Sequence, residues 1–488
     1  MDSYFGGMEI VRFLFQRSLA VIYLIAFVVA LNQFPALLGE KGLLPVPEFI
    51  KYVPFQNSPS IFYLSYSDRL LAIVAWTGII LSFCAMLGLT EKGPWWFSTI
   101  AWLVLWVLYL SIVNVGQTFY GFGWESMLCE AGFFCAFLGC SRVMPSLIPI
   151  VILRWMLFRL ELGGGLIKLR GDECWRNLTC LFYHYETQPL PNPLSWYFQH
   201  FPKIVHVLGV LFNHFVELIV PFGLFASQNI AALSGGIIIF QQLLLIISGN
   251  YSFLNWLTII LGVTALNDNI LSKIVPFHLS GVAARSWFQN RILYVLAAVT
   301  AILSIQPALN LFSKRQLMNY SYNPLQLVNS YGMFGSVTKI RYELIIQGTQ
   351  DASVNAQTQW KEYEFKGKPG DVRRRPPQVA PYQLHLDWQM WFLPFSVAVT
   401  GRGLVIEGYE LWFLRFMEKL LEGDRQMLKL LRQNPFPDRP PHFIRVMYYR
   451  YQFTNWQERK ETGAWWKRTL IGEYLPPVDL GVLKKYGT

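Results

Sequence analysis

Ionisable and polar side chains recur at helical spacing inside stretches that are otherwise apolar. Counted at about 100° per residue, His206, Asn213 and Glu217 fall close to one line, while His214 sits well off it. An imidazole, an amide and a carboxylate on one stripe could relay protons, hold a metal ion or form a hydrogen-bonded seam between helices. No His-x-x-x-His or Glu-x-x-His pair accompanies them, so the spacing adds nothing to the metal reading, and a structural seam is the blander alternative. Arg154, Glu161 and Lys168 repeat every seven residues, a period that drifts only about 20° per heptad, so alternating charges line one face and Arg159 points elsewhere. That face suits either a water-filled or headgroup-lined cleft or an amphipathic helix lying at the interface. Glu125 shares a heptad line with Gly132 and Gly139, which suggests close helix packing around a buried hydrogen-bond acceptor more than a catalytic base. An ionisable group at bilayer depth is costly, so each of these is expected to face the bundle interior with a partner.

Hydrolytic and nucleotide signatures are missing. There is no Gly-x-Ser-x-Gly elbow, no Walker loop, no His-Glu-x-x-His and no dinucleotide fingerprint. The run Gly163 to Gly165 lacks a phosphate-cradling pattern and would instead let a neighbouring helix approach closely or break its own. No catalytic residue, metal ligand or cofactor is assigned.

The elements that must position these groups follow from composition. The chain has 488 residues, 53% of them hydrophobic and 15% charged, with a mean hydropathy of +0.32. Ordinary soluble domains carry about 25% charged residues, and so apolar a chain finds its solvent in lipid. Apolar runs predict a multi-pass α-helical transmembrane domain over residues 1–310. About nine spans are expected, some of them possible interfacial segments: Val11 to Leu31, Leu70 to Leu89, Trp95 to Val113, Gly121 to Leu138, Leu147 to Leu169, Ile204 to Phe225, Ile230 to Ile247, Phe253 to Leu266 and Ile292 to Leu309. Asn32, Gln33, Phe34 and Pro35 follow the first run where a cleavage site would need small residues, so that run is expected to remain as the first helix.

Residues 311–488 are expected to form a soluble, β-rich α+β domain. Val337 to Gln347, Trp360 to Phe365 and Ile444 to Phe453 read as strands, Leu411 to Leu421 and Arg425 to Arg432 as helices, and Asp424 as an N-cap. The net charge of +11 owes much to this part. It suits anionic headgroups or an acidic partner, and no nucleic-acid reading motif accompanies it. Tyr448, Tyr449, Tyr451, Trp465 and Trp466 are candidate contacts for a partner, though core or strand-pairing roles suit them better. Asn177, Asn250 and Asn319 are Asn-x-Ser/Thr sites. With a cytoplasmic N-terminus and nine spans all three fall outside, Asn250 too close to the membrane for modification. Cys174 and Cys180 are the one plausible disulfide pair; the other cysteines lie in apolar runs.

The segment from Arg154 to Pro202 includes Gly171-Asp172-Glu173-Cys174-Trp175-Arg176-Asn177-Leu178-Thr179-Cys180 and His184-Tyr185-Glu186-Thr187-Gln188-Pro189. It closely resembles the lipase maturation factor family. Ser111 to Glu125, Asn213 to Pro221, Ser248 to Thr258, Val328 to Thr338, Tyr363 to Asp371, Leu386 to Phe392 and Asn434 to Pro441 carry the likeness along the chain. Asp172, Trp175, Arg176, His184 and Glu186 are its loop-specific marks. The chain departs from the family pattern in lacking a cysteine at Gly367 and a second near Pro377. The resemblance implies a folding factor for secreted lipases in the endoplasmic reticulum membrane, or the inner membrane in a bacterium, with its C-terminal domain on the far side from the cytoplasm and no catalytic residue to carry over. A second function class rests on the polar stripes alone. It is a membrane-embedded enzyme or lipid-handling protein, with a layout broadly like that of the vitamin K-dependent carboxylases.

Overall fold

A computed structural model describes residues 7–274, 283–401 and 403–486. The longer helices are Glu9–Leu38 (α1), Asp68–Met86 (α2), Trp95–Val115 (α3), Gly123–Cys135 (α4), Leu147–Arg170 (α5), Lys203–Leu218 (α6), Gln228–Ser248 (α7), Leu254–Val263 (α8) and Trp287–Leu303 (α9), the last continued by Ile305–Phe312. Local chemistry sets several of their starts. The Ser67 hydroxyl accepts from Leu70 N at the head of α2, Pro94 leads into the Trp95-Trp96 pair of α3, and Ser286 and Gln289 close a capping box on α9.

Among the described residues, six helical segments are long and apolar enough to cross a membrane: α1, α2, α3, Lys203–Phe225, α7 and Trp287–Phe312. The expected nine is therefore not established. At 1.5 Å per residue α4 and α8 measure only about 20 and 15 Å against a hydrocarbon core of about 30 Å. Helix α5 is long enough but carries Arg154, Arg159, Glu161, Lys168 and Arg170. It is buried along most of its length and packs against α4, α6, α8 and α9. Its glycines make that possible without breaking it, since a Cβ on Gly163 would stand 2.3 Å from the Tyr331 carbonyl oxygen. Gly132 of α4 likewise has the Tyr23 hydroxyl against it. Gly139 does not share that role: it lies beyond the end of α4 with φ +84°.

The two ends of α1 meet different parts of the molecule. At its start, the backbone N–H groups of Glu9 and Ile10 donate to the Asp268 carboxylate (2.7 and 3.0 Å), and Gln16 Nε2 donates to the Gly139 carbonyl (3.0 Å). At its end, Gln33 Nε2 donates to Gln383 O and Gln33 Oε1 accepts from His385 N (3.0 Å). The C-terminal region thus packs on the opposite end of the bundle from residues 9–16, some 30 Å away by helical rise.

That region is built on the antiparallel sheet β2-β1-β7-β8, formed by Arg341–Thr349 (β1), Lys361–Glu362 (β2), Phe443–Phe453 (β7) and Trp466–Val478 (β8). Two small pairs flank it: Glu364–Phe365 (β3) with Leu431–Gln433 (β6), and Val397–Thr400 (β4) with Gly403–Ile406 (β5). Helix His385–Phe392 (α10) packs on the Gln117–Tyr120 turn of the bundle, while Leu411–Glu422 (α11) packs on β7 and buries Trp412, Phe413, Phe416, Met417 and Leu420. Asp424 caps a single turn, Arg425–Leu428, and the chain then enters β6 instead of continuing the helix to Arg432. The aromatic residues weighed as contacts are core: Tyr448, Tyr451, Trp465 and Trp466 are buried and Tyr449 is half-buried. One hydrophobic core runs from the bundle into the sheet.

Candidate functional site

Helices α5, α6, α7 and α8 enclose a cavity of about 310 Å³ whose wall carries Glu161, Lys168, His206, Asn213, Glu217, Gln241, Gln242 and Asn255. Their positions follow from helical geometry. Asn213 and Glu217 are one turn apart on α6, and Glu161 and Lys168 two turns apart on α5, so each pair faces inward from its own helix. Gly165 of α5 lets α6 come close: a Cβ there would stand 2.7 Å from the Leu218 side chain and 3.0 Å from Glu217 Cβ. That approach brings the Lys168 ammonium onto the Glu217 carboxylate as an ion pair. The ammonium also donates to Asn213 Oδ1 (3.3 Å) and stands 4.9 Å from the centre of the Trp175 ring.

The polar chain continues across the cavity. Asn213 Nδ2 donates to Glu217 Oε2 (2.9 Å), and Gln241 Nε2 donates to Asn213 Oδ1 (3.1 Å). Asn255 Nδ2 donates to Gln242 Oε1 (2.7 Å), and Gln242 Nε2 reaches Glu161 Oε1 at 3.4 Å. His206 lines the same cavity but is tied to the Phe198 carbonyl (2.9 Å). His214 turns away to the Trp175 carbonyl (3.0 Å).

The loop that bears the family-like motif roofs this cavity. Cys174 and Cys180 form a disulfide with Cα atoms 4.8 Å apart. Asp172 caps the short helix Glu173–Arg176 by accepting from Cys174 N (2.9 Å), and Trp175 Nε1 donates to Phe334 O (2.8 Å). Arg176 donates to the carbonyls of Leu169 and Gly171 at the end of α5, and the Asn177 side chain is exposed beside it. Gln188 Nε2 donates to Tyr185 O, Ser195 Oγ and Ser248 O, which leaves its Oε1 to accept from the Tyr251 hydroxyl (2.6 Å). The hydroxyl has one proton, so His184 Nε2, 2.7 Å from the same oxygen, is the protonated nitrogen and donates to it. Burial, reinforced by the positive charge of Lys168, brings the His184 pKa down to about 4.

The roof is also the joint to the sheet. Glu186 Oε2 accepts from Phe453 N (2.7 Å), and burial raises the Glu186 pKa above the ordinary carboxylate range. Arg341 of β1 donates to the carbonyls of Glu186 (3.1 Å), Gln188 and Pro189 (3.0 Å) and pairs with Glu343. Lys368 closes on the other oxygen of Glu343 (2.9 Å).

Three other predicted groups lie outside the cavity. Arg154 is at the far end of α5, where it donates to Thr264 O (2.8 Å) and Gln228 Oε1 (3.3 Å). Glu125 accepts from the Tyr109 hydroxyl, deep in the bundle. Exposed Asn319 accepts from Gly332 N at 3.4 Å. The sequence reading missed Gln241, Gln242, Tyr251 and Asn255. Two adjacent amides in the middle of an apolar helix were the available signal. It also missed the buried pair of Arg159 and Glu130, whose Oε2 accepts from Asn329 N (2.9 Å) and the Tyr331 hydroxyl (2.8 Å). Among the described residues no group of three or more His, Cys, Asp or Glu side chains could hold a metal ion. What the cavity offers is hydrogen bonding around the Lys168–Glu217 ion pair and the carboxyl group of Glu161.

No solved structure matches this chain. Its sequence has clear relatives. It is 41% identical to lipase maturation factor 1 of Mus musculus over 99% of this chain and 89% of that protein. It is 39% identical to lipase maturation factor 1 of Homo sapiens over 99% and 90%. Lipase maturation factor 2 of Homo sapiens is 27% identical over 98% and 84%. Residues 10–273 match the family model described as the lipase maturation factor transmembrane domain, and residues 327–476 the lipase maturation factor C-terminal domain. The chain is a membrane protein and belongs to the lipase maturation factor family.

Proposed function

We infer that this protein is a membrane-anchored factor in the maturation of secreted lipases, located in the endoplasmic reticulum membrane in a eukaryotic cell. The observation that carries the reading is the likeness to proteins named lipase maturation factor 1, which extends over 99% of the chain at 41% identity. The enzyme alternative gains nothing from these relatives. Residues 1–310 act as the membrane part and residues 311–488 as the aqueous part. In support, among the described residues the last apolar segment ends at Phe312 and all the strands follow it. The aqueous part faces away from the cytoplasm, in keeping with its docking on the opposite end of α1 from residues 9–16. A sheet held to the bundle by Arg341, Glu186 and Asn250 is a rigid platform on which a folding client could be held.

Deletion of the protein from its own cells tests the reading. Secreted lipase activity per unit of lipase protein should fall at least several-fold, with the transcript unchanged, and return on re-expression. Unchanged specific activity of every secreted lipase in the deleted cells would overturn it.

A further inference from the structure

We propose that the cavity between α5, α6, α7 and α8 binds an uncharged lipid, with the hydroxyl or amide donors of its headgroup against Glu161, Gln242 and Asn255 and its chain leaving between α6 and α7. This is a ligand site distinct from any client-docking role. Its volume of about 310 Å³ lies at the lower end of the range for small-molecule sites, about 300–1,000 Å³. A seam that only holds helices together has no need of such a space.

The cavity's rim says where a ligand enters. Phe201 and Val205, at the start of α6, are each 43% exposed, and Leu244 and Leu245, near the end of α7, are half-buried. All four line the cavity. Beside them Ile204, Leu208, Phe240 and Leu243 face outward from the bundle. Large apolar side chains exposed on membrane helices meet acyl chains, so the mouth opens onto lipid and an acyl chain passes through it without leaving its solvent.

The charges choose the headgroup. Among the described residues Lys168 is the only lysine or arginine in the lining, and Glu217 already neutralises it. Glu161 faces the same space, and its hydrogen bond among the described residues is the 3.4 Å contact from Gln242. A carboxyl buried there with no cation of its own takes its neutral form, so the lining carries no net charge. A phosphate, a fatty-acid carboxylate or an amine would enter with no unpaired counter-ion to receive it, at the cost of burying a lone charge. A hydroxyl can both donate to and accept from the neutral Glu161 carboxyl and the Gln242 and Asn255 amides, and it adds no charge.

Photo-crosslinking of the full chain in lipid nanodiscs tests this, with four probes that share one diazirine-bearing acyl chain: a monoacylglycerol, a free fatty acid, a lysophosphatidic acid and a sphingosine-type amine. Labelling of α6 and α7 peptides is read against that of α2, whose exposed Ile73 and Ile80 report the general lipid belt. The monoacylglycerol should label α6 and α7 at least tenfold above that belt, and unlabelled monoacylglycerol should compete. The fatty acid, the lysophosphatidic acid and the amine should stay at belt level. Val205→Trp, which blocks the mouth from an exposed position, should abolish the enrichment, and Glu161→Leu should reduce it severalfold. Equal enrichment with all four probes, preference for an anionic or amine probe, or enrichment that survives Val205→Trp in a variant of unchanged melting temperature would each overturn the proposal.

Discussion

The Lys168 and Glu217 side chains are almost wholly withdrawn from solvent, 8% and 11% exposed, and neither charge is affordable there alone. Removing one partner leaves the other buried and uncompensated, a loss of about 3–5 kcal/mol. Lys168→Met and Glu217→Gln should each lower the melting temperature in detergent by several degrees, and the Lys168→Met, Glu217→Leu double variant should recover most of the loss. Single variants that melt like the parent would refute the pairing. His184 makes a second prediction. Its pKa is brought down from the ordinary 6.5 to about 4, chiefly by burial and then by Lys168. As pH falls through 6.5 the unfolded chain takes up the proton first, so the folded state loses stability between pH 6.5 and about 4 and levels off below. The full loss is up to about 3 kcal/mol. His184→Gln should flatten the dependence of melting temperature on pH across that window, and an equally steep dependence in the variant would count against it. At this scale direction was legible and partnership was not. Angular spacing put His206, Asn213 and Glu217 on one stripe, and all three line one cavity. The heptad line through Arg154 could not tell that fourteen residues of rise, about 21 Å, carry it to the far end of the bundle. The Gln241-Gln242 pair scarcely registers in the hydropathy of an apolar helix.

Elements were legible where length and composition agreed, as in α1, α2, α3 and α7, and blurred where they did not. Helix α5 reads as marginal because its charges lower its hydropathy, yet those charges are what a central helix with paired side chains carries. Strand β8, the longest of the sheet, was not foreseen. It carries Pro476-Pro477 just before its last residue, and proline in a strand-like run argues against the assignment; here the pair precedes Val478, which still pairs with Ile444, in a strand joined to β7 through several register shifts. The alternation in β7 flips between Tyr448 and Tyr451, both buried, because a register shift at Tyr448/Tyr449 interrupts the two-residue period. The joint between sheet and bundle was invisible for a plainer reason: Arg341 and the carbonyls of residues 186–189 are about 150 positions apart. One guanidinium spans those carbonyls and Glu343 at once, a geometry an ammonium cannot copy. Arg341→Lys should therefore destabilise almost as much as Arg341→Leu, by several kcal/mol, and both should speed proteolytic cleavage within residues 184–193 of the folded protein. Lysine restoring the parental cleavage rate would show that charge alone holds the joint.

Which side the C-terminal part faces is a property of the whole molecule, and the three Asn-x-Ser/Thr sites can report it. Asn177 follows α5 and Asn319 follows Ile305–Phe312; both are exposed and both lie at the end of the bundle where the sheet docks. Asn250 is at that end too, but it is 1% exposed. Its Nδ2 donates to Pro191 O (3.2 Å) and Pro377 O (2.9 Å), and its Oδ1 accepts from Val379 N (2.8 Å) and Ala380 N (2.9 Å). An amide engaged at both ends ties α7 to the C-terminal region and offers no acceptor nitrogen to a glycosyltransferase. Expressed in eukaryotic cells, the protein should therefore carry two glycans that endoglycosidase H removes. Asn177→Gln and Asn319→Gln should each eliminate one, and the double variant should migrate as the deglycosylated parent. Asn250→Gln should leave the glycan count unchanged while lowering stability, because a side chain one methylene longer cannot keep four bonds in a close-packed joint. An unglycosylated parent would place the sheet on the cytoplasmic face and reverse the topology, and a glycan lost with Asn250→Gln would mean that the joint is open when the chain meets the transferase.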